Sequence, residues 1–359
     1  MNAERLADAG KARNTQNLEL PLPPEQEERA LRLHREATIV DGTALAYTLE
    51  SPFTERLLQA GMTAAVVTVF IGVERGQGDH TTQALRGLDR AVRLAMRHDS
   101  NLRIVLDVED IAAARTEGKL GVVLAFQNAS ALGDDASLVH SFWSMGLRCI
   151  QLTYNLRNFF ADGCIEKNPG GLSFVGRELV AAMQEVGILI DLSHVADPSV
   201  HDTLALAQRP VAFTHCNARA LCCNARNKTD DQIRAVAAKG GLIGLNAFPA
   251  FVRDDDERPW LSDLLDHADH LVSLAGSRAV GLGLDFIEAW GDKEKKNLRE
   301  HAHAFGTHYD FPVGLEGVAQ LSNLTRGLVA RGHDDMTIRG ILGENYVDLF
   351  RRVWGRRGG

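Results

Sequence analysis

The sequence has no long hydrophobic run and few cysteines, and each scarcity excludes a class of protein. No apolar segment approaches the roughly 18 to 20 residues that cross a bilayer, and the polar amino terminus lacks the apolar core of a signal peptide. Its five cysteines are an odd number in a chain of 359 residues, and two of them are adjacent, which argues against a disulfide framework. We therefore expect a protein of a reducing compartment, the cytoplasm.

The sequence also lacks basic patches. Lys and Arg number 39 against 47 Asp and Glu, which gives a formal net charge of −8, and no basic run is longer than a pair, such as the Arg pairs near the carboxyl terminus. Nucleic acid and anionic membranes are therefore poor partners. With 45% hydrophobic and 24% charged residues, the composition is typical of a globular protein with a sizeable core. We expect the partner to be a small molecule or a second copy of the chain.

Eight short apolar runs recur along the chain, and amphipathic segments of helical periodicity separate them. The runs are residues 37–41, 63–70, 121–126, 148–153, 187–192, 210–214, 241–245 and 279–284. Each is apolar on both faces, as buried parallel strands are. Strands that alternate with helices predict an α/β fold, and eight such units predict a single TIM-like (β/α)8 barrel.

The predicted barrel accounts for most of the chain. Residues 1–36 are expected to form an amino-terminal extension with one helix, and residues 37–359 the barrel domain, with extra helices after the last strand. Apolar residues at helical spacing predict helices over residues 173–186 and 230–239, and Thr229 is placed to cap the second. No linker rich in Pro, Gly or Ser separates a second domain.

Polar residues follow almost every apolar run, which is where barrels of this kind carry their chemistry. In chain order these residues are Asp41, Thr43, Gln127, Asn128, Tyr154, Asn155, Ser193, His194, His215, Asn246 and Asp285. Any one of them can be explained as a helix cap. Two histidines at successive strand ends, His194 and His215, are harder to explain in that way and indicate a site.

Four long stretches carry a resemblance to a known family. They read GILIDLSHV at residues 187–195, PVAFTHCNARALCCNARN at 210–227, VGLGLDF at 280–286 and RGHDDMTIRGILGEN at 331–345. With them the chain resembles the membrane dipeptidases, also called renal dipeptidases, over nearly its whole length. The resemblance implies a TIM-like barrel, a two-zinc site that hydrolyses dipeptides, and a homodimer.

The resemblance also implies roles for four retained residues. His194 and His215 match the two histidines that bind the second metal ion. Asp285 matches a late aspartate that handles the proton or the substrate amine, and Arg226 matches an arginine that pairs with the dipeptide carboxylate.

Other ligands of the family are missing. Where the family has Asp-Gly-His-Asn-Asp, this chain reads DGTAL at residues 41–45, so that Thr43 and Leu45 replace a histidine and an aspartate. Gln127 stands in place of the glutamate that bridges both metal ions, and Tyr154 in place of a histidine near the scissile carbonyl. The chain is therefore similar to the family but departs from it at the metal site.

These losses bear on the cofactor. Two adjacent divalent ions need carboxylates to offset their mutual repulsion, and two histidines cannot hold a pair. A single zinc ion on His194 and His215 remains open if Asp285, Cys164 or Cys216 serves as third ligand. We expect at most one zinc ion at this site, and the site also allows none.

The sequence thus favours a dipeptidase-like hydrolase that cleaves the amide bond of a small, carboxylate-bearing substrate. The predicted catalytic residues are Asp285, His194, His215 and Tyr154, the predicted substrate-binding residues are Arg226, Gln127 and Asn246, and the candidate metal ligands are His194 and His215. Two alternatives stay open. One is a metal-independent enzyme that acts on an amino-acid derivative through Asp285, His194 and Tyr154. The other is a non-catalytic relative that binds a small carboxylate.

Overall fold

A closed barrel of parallel strands forms the centre of the molecule. The structure, a computed structural model, describes residues 21–72, 79–255, 257–288 and 309–354. The strands are β1 (Ile39–Leu45), β2 (Met62–Phe70), β3 (Leu102–Ile104), β4 (Leu120–Phe126), β5 (Leu147–Gln151), β6 (Leu189–Asp191), β7 (Ala212–Phe213), β8 (Leu242–Leu245) and β9 (Val280–Leu282). The pairing of β2 with β4 and of β1 with β9 closes the barrel.

The predicted TIM-like barrel is confirmed, since the eight apolar runs correspond to β1, β2 and β4 to β9. The additional strand β3 pairs with the first residues of β4, while β5 pairs with the last ones. Sequence patterning missed β3 because it has only three residues, and two of them, Arg103 and Ile104, are half-buried. A strand this short leaves no alternating or doubly apolar pattern to detect.

Helices surround the barrel. They are α1 (Pro24–Glu36), α2 (Phe53–Gln59), α3 (His80–Ala95), α4 (Glu109–Glu117), α5 (Leu138–Ser144), α6 (Phe174–Val186), α7 (Asp197–Leu206), α8 (Asp230–Ala238), α9 (Pro249–Val252), α10 (Leu261–Ala275), α11 (Leu321–Ala330), α12 (Asp335–Arg339) and α13 (Asn345–Trp354). Within the part of the chain that the structure describes, no helix is both long and apolar enough to cross a membrane.

The helix of the predicted amino-terminal extension is α1, and it packs against α11. Ion pairs join the two ends of the chain: Arg326 contacts Glu27 at 2.9 Å, and Arg29 contacts Asp335 at 2.7 Å. Residues 1–20 of that extension lie outside the described residues. The boundary between extension and barrel at residue 36 stays a prediction.

The carboxyl-terminal helix α13 fills the interior of the barrel. Its Tyr346 is fully buried and donates a hydrogen bond to the Thr214 carbonyl, 2.9 Å away. A Cβ atom on Gly42 or Gly281 would lie within 2.7 Å of the Tyr346 side chain, so both positions need glycine for this close approach. At the far end of α13, the Trp354 indole N–H donates to the Arg148 carbonyl at the start of β5. The side chains of α13 thus pack in the apolar core, and the polar residues lie at the carboxyl ends of the strands.

The predicted cap of α8 supplies a test of local structure. The Thr229 hydroxyl accepts from the Gln232 amide N–H, and the Gln232 side chain accepts from the Thr229 N–H. We expect Thr229→Ala to lower the free energy of unfolding by about 1 kcal/mol, because the Gln232 amide N–H loses its acceptor. Urea denaturation measures the change. Thr229→Ser keeps the hydroxyl and should stay near wild type, so an equal loss in both variants would contradict the capping role.

Candidate active site

Six of the seven predicted site residues stand at strand ends, and five of these follow the consecutive strands β5 to β9. Tyr154 follows β5, His194 follows β6, His215 follows β7, Asn246 follows β8 and Asp285 follows β9. His194, His215 and Asn246 are buried, whereas Tyr154 and Asp285 are half-buried. Because parallel strands end at the same rim of the barrel, these side chains meet there.

The two histidines contact each other directly. Their Nε2 atoms lie 3.0 Å apart, and the Nδ1 atom of His194 lies 2.7 Å from the Asn155 side-chain oxygen. That oxygen also accepts from the Cys164 thiol, so His194 must donate to it from Nδ1. Tyr154 stacks on the His194 ring at a centroid distance of 4.3 Å. His194 is therefore fixed in orientation by three neighbours.

The other side of His215 is satisfied by hydroxyl groups. Its Nδ1 atom lies 2.7 Å from the Thr43 hydroxyl and 2.8 Å from the Thr214 hydroxyl. Burial, and after it the positive charge of Arg226, lowers the pKa of both histidines well below 6.5. Both rings are therefore neutral near pH 7, and each of their four nitrogens has a hydrogen-bonding partner.

A buried carboxylate that the sequence analysis did not single out positions both histidines. Asp191, the last residue of β6, accepts from the amide and hydroxyl of Ser193 and from the amide and hydroxyl of Thr214. These four bonds, 2.6 to 3.1 Å long, join the segments that carry His194 and His215. An aspartate inside the otherwise apolar run GILIDL was the available signal.

Asp285 is the carboxyl group best placed to face a ligand. Its backbone has a φ of 57°, in the left-handed region that a non-glycine residue adopts rarely. The Asn246 amide lies 3.3 Å from one Asp285 oxygen and 3.4 Å from the His215 carbonyl. Burial raises the pKa of Asp285 although the charge of Arg226 opposes the shift, which favours a role in proton transfer.

Two cations, Arg226 and Lys228, are completely buried beside this cluster. The Arg226 guanidinium donates to the Ser193 carbonyl at 2.5 Å and to the His215 carbonyl at 3.3 Å, and it lies over the Phe251 ring. Its Nε–H is buried and has no acceptor among the described residues. Within the same residues, no carboxylate lies within 4.0 Å of either cation.

Lys228 was not predicted as a site residue. Its ammonium group donates to the Val195 carbonyl at 2.8 Å and lies 5.2 Å from the centre of the Phe213 ring. Burial lowers the pKa of Lys228 to about 8. A lysine two positions after Arg226 gave no pattern in sequence, because only the folded loop shows that both side chains are buried.

A small cavity lies between β1, α2 and the segment after β9. Asp41 and Thr43 line it together with apolar side chains such as Ala44, Leu57 and Phe286. Burial raises the pKa of the Asp41 carboxyl to about 7. The sequence placed Asp41 at a strand end, but it did not identify it as a site residue.

Gln127 stands apart from the other predicted residues. It is buried at the end of β4, and its backbone carbonyl accepts from the Gln151 side chain at 2.6 Å. No hydrogen bond joins its side chain to His194, His215 or Asp285 in the structure as described. Its role in substrate binding stays a prediction.

The residues present do not fit a two-zinc centre. Among the described residues, no group of three or more His, Cys, Asp or Glu side chains is arranged to hold a metal ion. The Nε2 atoms of His194 and His215, which would face a metal, are instead within hydrogen-bonding distance of each other. A catalytic zinc takes three protein ligands, so this donor set falls short.

Comparison with known proteins identifies the relatives of the chain. The sequence model of the membrane dipeptidases, peptidase family M19, matches residues 27–298. An uncharacterized dipeptidase of Schizosaccharomyces pombe is 30% identical over 277 residues, which are 75% of this chain and 61% of that protein. This chain therefore spans less than two thirds of the length of that relative.

Solved structures share the fold. An amidohydrolase from Pseudomonas aeruginosa is 30% identical, with a TM-score of 0.83 over 91% of this chain and 99% of that one. A metallo peptidase from Rhodobacter sphaeroides, liganded with a phosphinate mimic of the dipeptide L-Ala-D-Ala, is 22% identical, with a TM-score of 0.75 over 89% of this chain and 99% of that one. Because the family model matches well over half of the chain, the protein belongs to the membrane dipeptidase family, a family of peptidases.

Proposed function

We propose that this member of the dipeptidase family hydrolyses the amide bond of a small substrate with a free carboxylate, which Arg226 recognises. The observation that carries the proposal is the state of the Arg226 guanidinium. It is fully buried, has no carboxylate partner among the described residues, and leaves its Nε–H without an acceptor.

The energetic cost of that state supports an anionic ligand. A buried charge left without its partner costs about 3–5 kcal/mol, and an unsatisfied buried donor adds to the cost. Two backbone carbonyls supply only partial negative charge to Arg226. A substrate carboxylate would supply the full countercharge and a planar acceptor that matches a guanidinium.

The reacting groups follow from which atoms are free. The ring nitrogens of His194 and His215 all have partners, so Asp285 is the proposed proton acceptor for the attacking water, and it returns that proton to the amine nitrogen as the C–N bond breaks. Asn246 orients it through a 3.3 Å hydrogen bond. Burial raises the pKa of the Tyr154 phenol, which therefore stays protonated and can donate to the developing oxyanion. The neutral His194 ring positions Tyr154 by stacking.

We propose at most one zinc ion for this site, because His194 and His215 lack a third ligand among the described residues. The same observation keeps a metal-independent reaction on an amino-acid derivative as the second candidate, with Asp285, His194 and Tyr154 as its acting residues. A cytoplasmic homodimer is also proposed. The five unpaired cysteines agree with a reducing compartment.

The first test concerns Asp285. We expect Asp285→Asn to lower kcat for the hydrolysis of a dipeptide panel by about 100-fold or more, since the amide cannot accept the proton. Thermal unfolding should stay close to wild type, because Asn246 can still hydrogen-bond the new side chain. Steady-state kinetics of both proteins measures the effect. Full activity in the variant would remove Asp285 from the mechanism, and a wild type that binds the panel without turnover would indicate a non-catalytic relative.

The second test concerns metal content. Wild-type protein purified without chelators should contain at most one zinc ion per chain, measured by mass spectrometry of the metal. The triple variant Thr43→His, Leu45→Asp and Gln127→Glu restores the ligands of the family and should bind more metal than wild type. The single variant Leu45→Asp serves as its control. Two zinc ions per chain in the wild type would contradict the proposal that this site binds at most one.

The third test concerns Arg226. Arg226→Lys keeps the charge but loses the planar pair of donors, so we expect about tenfold weaker binding of a carboxylated dipeptide analogue. The carboxamide form of the same analogue should bind wild type and variant equally weakly. Isothermal titration calorimetry compares the two forms. Equal affinity of wild type for the carboxylate and the carboxamide would contradict the proposal that Arg226 recognises the substrate carboxylate.

A further inference from the structure

Tyr346, on the helix that fills the barrel, reaches the strand ends from inside the barrel, and the proposed reaction leaves it unused. We propose that Tyr346 is a positioning residue of the active site, whose hydroxyl fixes the peptide bond between Thr214 and His215. This inference rests on the proposed function, since the side chains that contact this peptide are the ones assigned to the reaction.

The hydroxyl of Tyr346 supplies a hydrogen bond that the sheet does not. It donates to the Thr214 carbonyl at 2.9 Å, and both residues are buried. Strand β7 ends at Phe213, so regular sheet pairing stops one residue before Thr214. Among the described residues, no other group donates to this carbonyl oxygen. Burial raises the pKa of Tyr346 well above 10, so the hydroxyl keeps its proton near pH 7 and remains a donor.

Three glycines enclose this hydrogen bond. A Cβ atom on any of them would lie within 2.6 Å of the Thr214 carbonyl oxygen; they are Gly42 in β1, Gly244 in β8 and Gly283 after β9. On Gly42 and Gly244, the same atom would lie 1.9 and 2.8 Å from the Tyr346 hydroxyl oxygen. Only glycine lets the backbones approach this closely. Three neighbouring strands thus pack around the carbonyl and its donor, and they hold the two groups at close range.

The peptide fixed in this way carries His215, whose backbone contacts the groups assigned to the reaction. The His215 carbonyl accepts from Asn246 at 3.4 Å and from Arg226 at 3.3 Å. The same Asn246 nitrogen lies 3.3 Å from Asp285, the proposed base. Arg226 has a second and shorter bond, at 2.5 Å, to the Ser193 carbonyl. A shift of this peptide would therefore displace Asn246 and the base, while Arg226 would stay bound to Ser193.

The test removes the hydroxyl and keeps the ring. We expect Tyr346→Phe to lower kcat for the dipeptide panel by about tenfold or more, because a small displacement of a reacting group slows the reaction steeply. Affinity for the carboxylated dipeptide analogue, measured by isothermal titration calorimetry, should change by less than about twofold, because Ser193 still holds Arg226. Hydrogen exchange of residues 212–217, measured by mass spectrometry, should become faster because the peptide before His215 is no longer anchored.

Trp354→Phe is the matched variant, since it removes a hydrogen bond from the far end of the same helix to a backbone carbonyl. It should keep kcat and the exchange of residues 212–217 near wild type, and an equal loss of kcat in both variants would overturn the assignment to Tyr346. Wild-type kcat in Tyr346→Phe, or a loss of affinity as large as the loss of kcat, would also overturn it.

The exchange measurement separates this inference from the proposed function. If wild type hydrolyses no dipeptide, the proposed function is wrong. Faster exchange of residues 212–217 in Tyr346→Phe alone would in that case still support the hold of Tyr346 on the peptide. Unchanged exchange would contradict it.

Discussion

The hydrogen bonds of Asp191 are the constraint on which the site depends. The carboxylate accepts from both the backbone and the hydroxyl of Ser193 and Thr214, and these residues directly precede the two histidines. β6 and β7 are only three and two residues long, so backbone pairing alone holds their ends weakly. A buried carboxylate with four short hydrogen bonds supplies the missing connection, and its burial strengthens each of them.

The histidine pair is held in place by hydrogen bonds within the protein. In a metal centre the ion would fix the orientation of both rings. Here hydrogen bonds fix the orientation of both rings. Asn155 hydrogen-bonds His194, the hydroxyls of Thr43 and Thr214 hydrogen-bond His215, and the two rings hydrogen-bond each other. The Thr43 hydroxyl completes the hydrogen bonding of His215. The pair is therefore a satisfied polar network in its own right.

The sequence predicted the barrel and most of the rim because both leave local patterns. Doubly apolar runs mark the strands, and polar residues directly after them mark the carboxyl ends, which placed His194, His215, Asn246 and Asp285 correctly. Burial of charged side chains leaves no such pattern. Lys228 and Asp41 look like ordinary polar residues in sequence, and only the packing of distant segments around them shows that each lacks a countercharge. The partnership of His194 with His215, 21 residues apart, likewise depends on strand ends that only the closed barrel brings together.

The electrostatic balance of the rim opposes the binding of two divalent ions at the histidine pair. Two divalent ions in this space would lie close to Arg226 and Lys228, whose charges already lower the pKa values of both histidines. Leu45 and Gln127 are uncharged, so they offset none of that repulsion. The buried cations instead leave a positive end near Arg226, which in our proposal receives the carboxylate of the substrate.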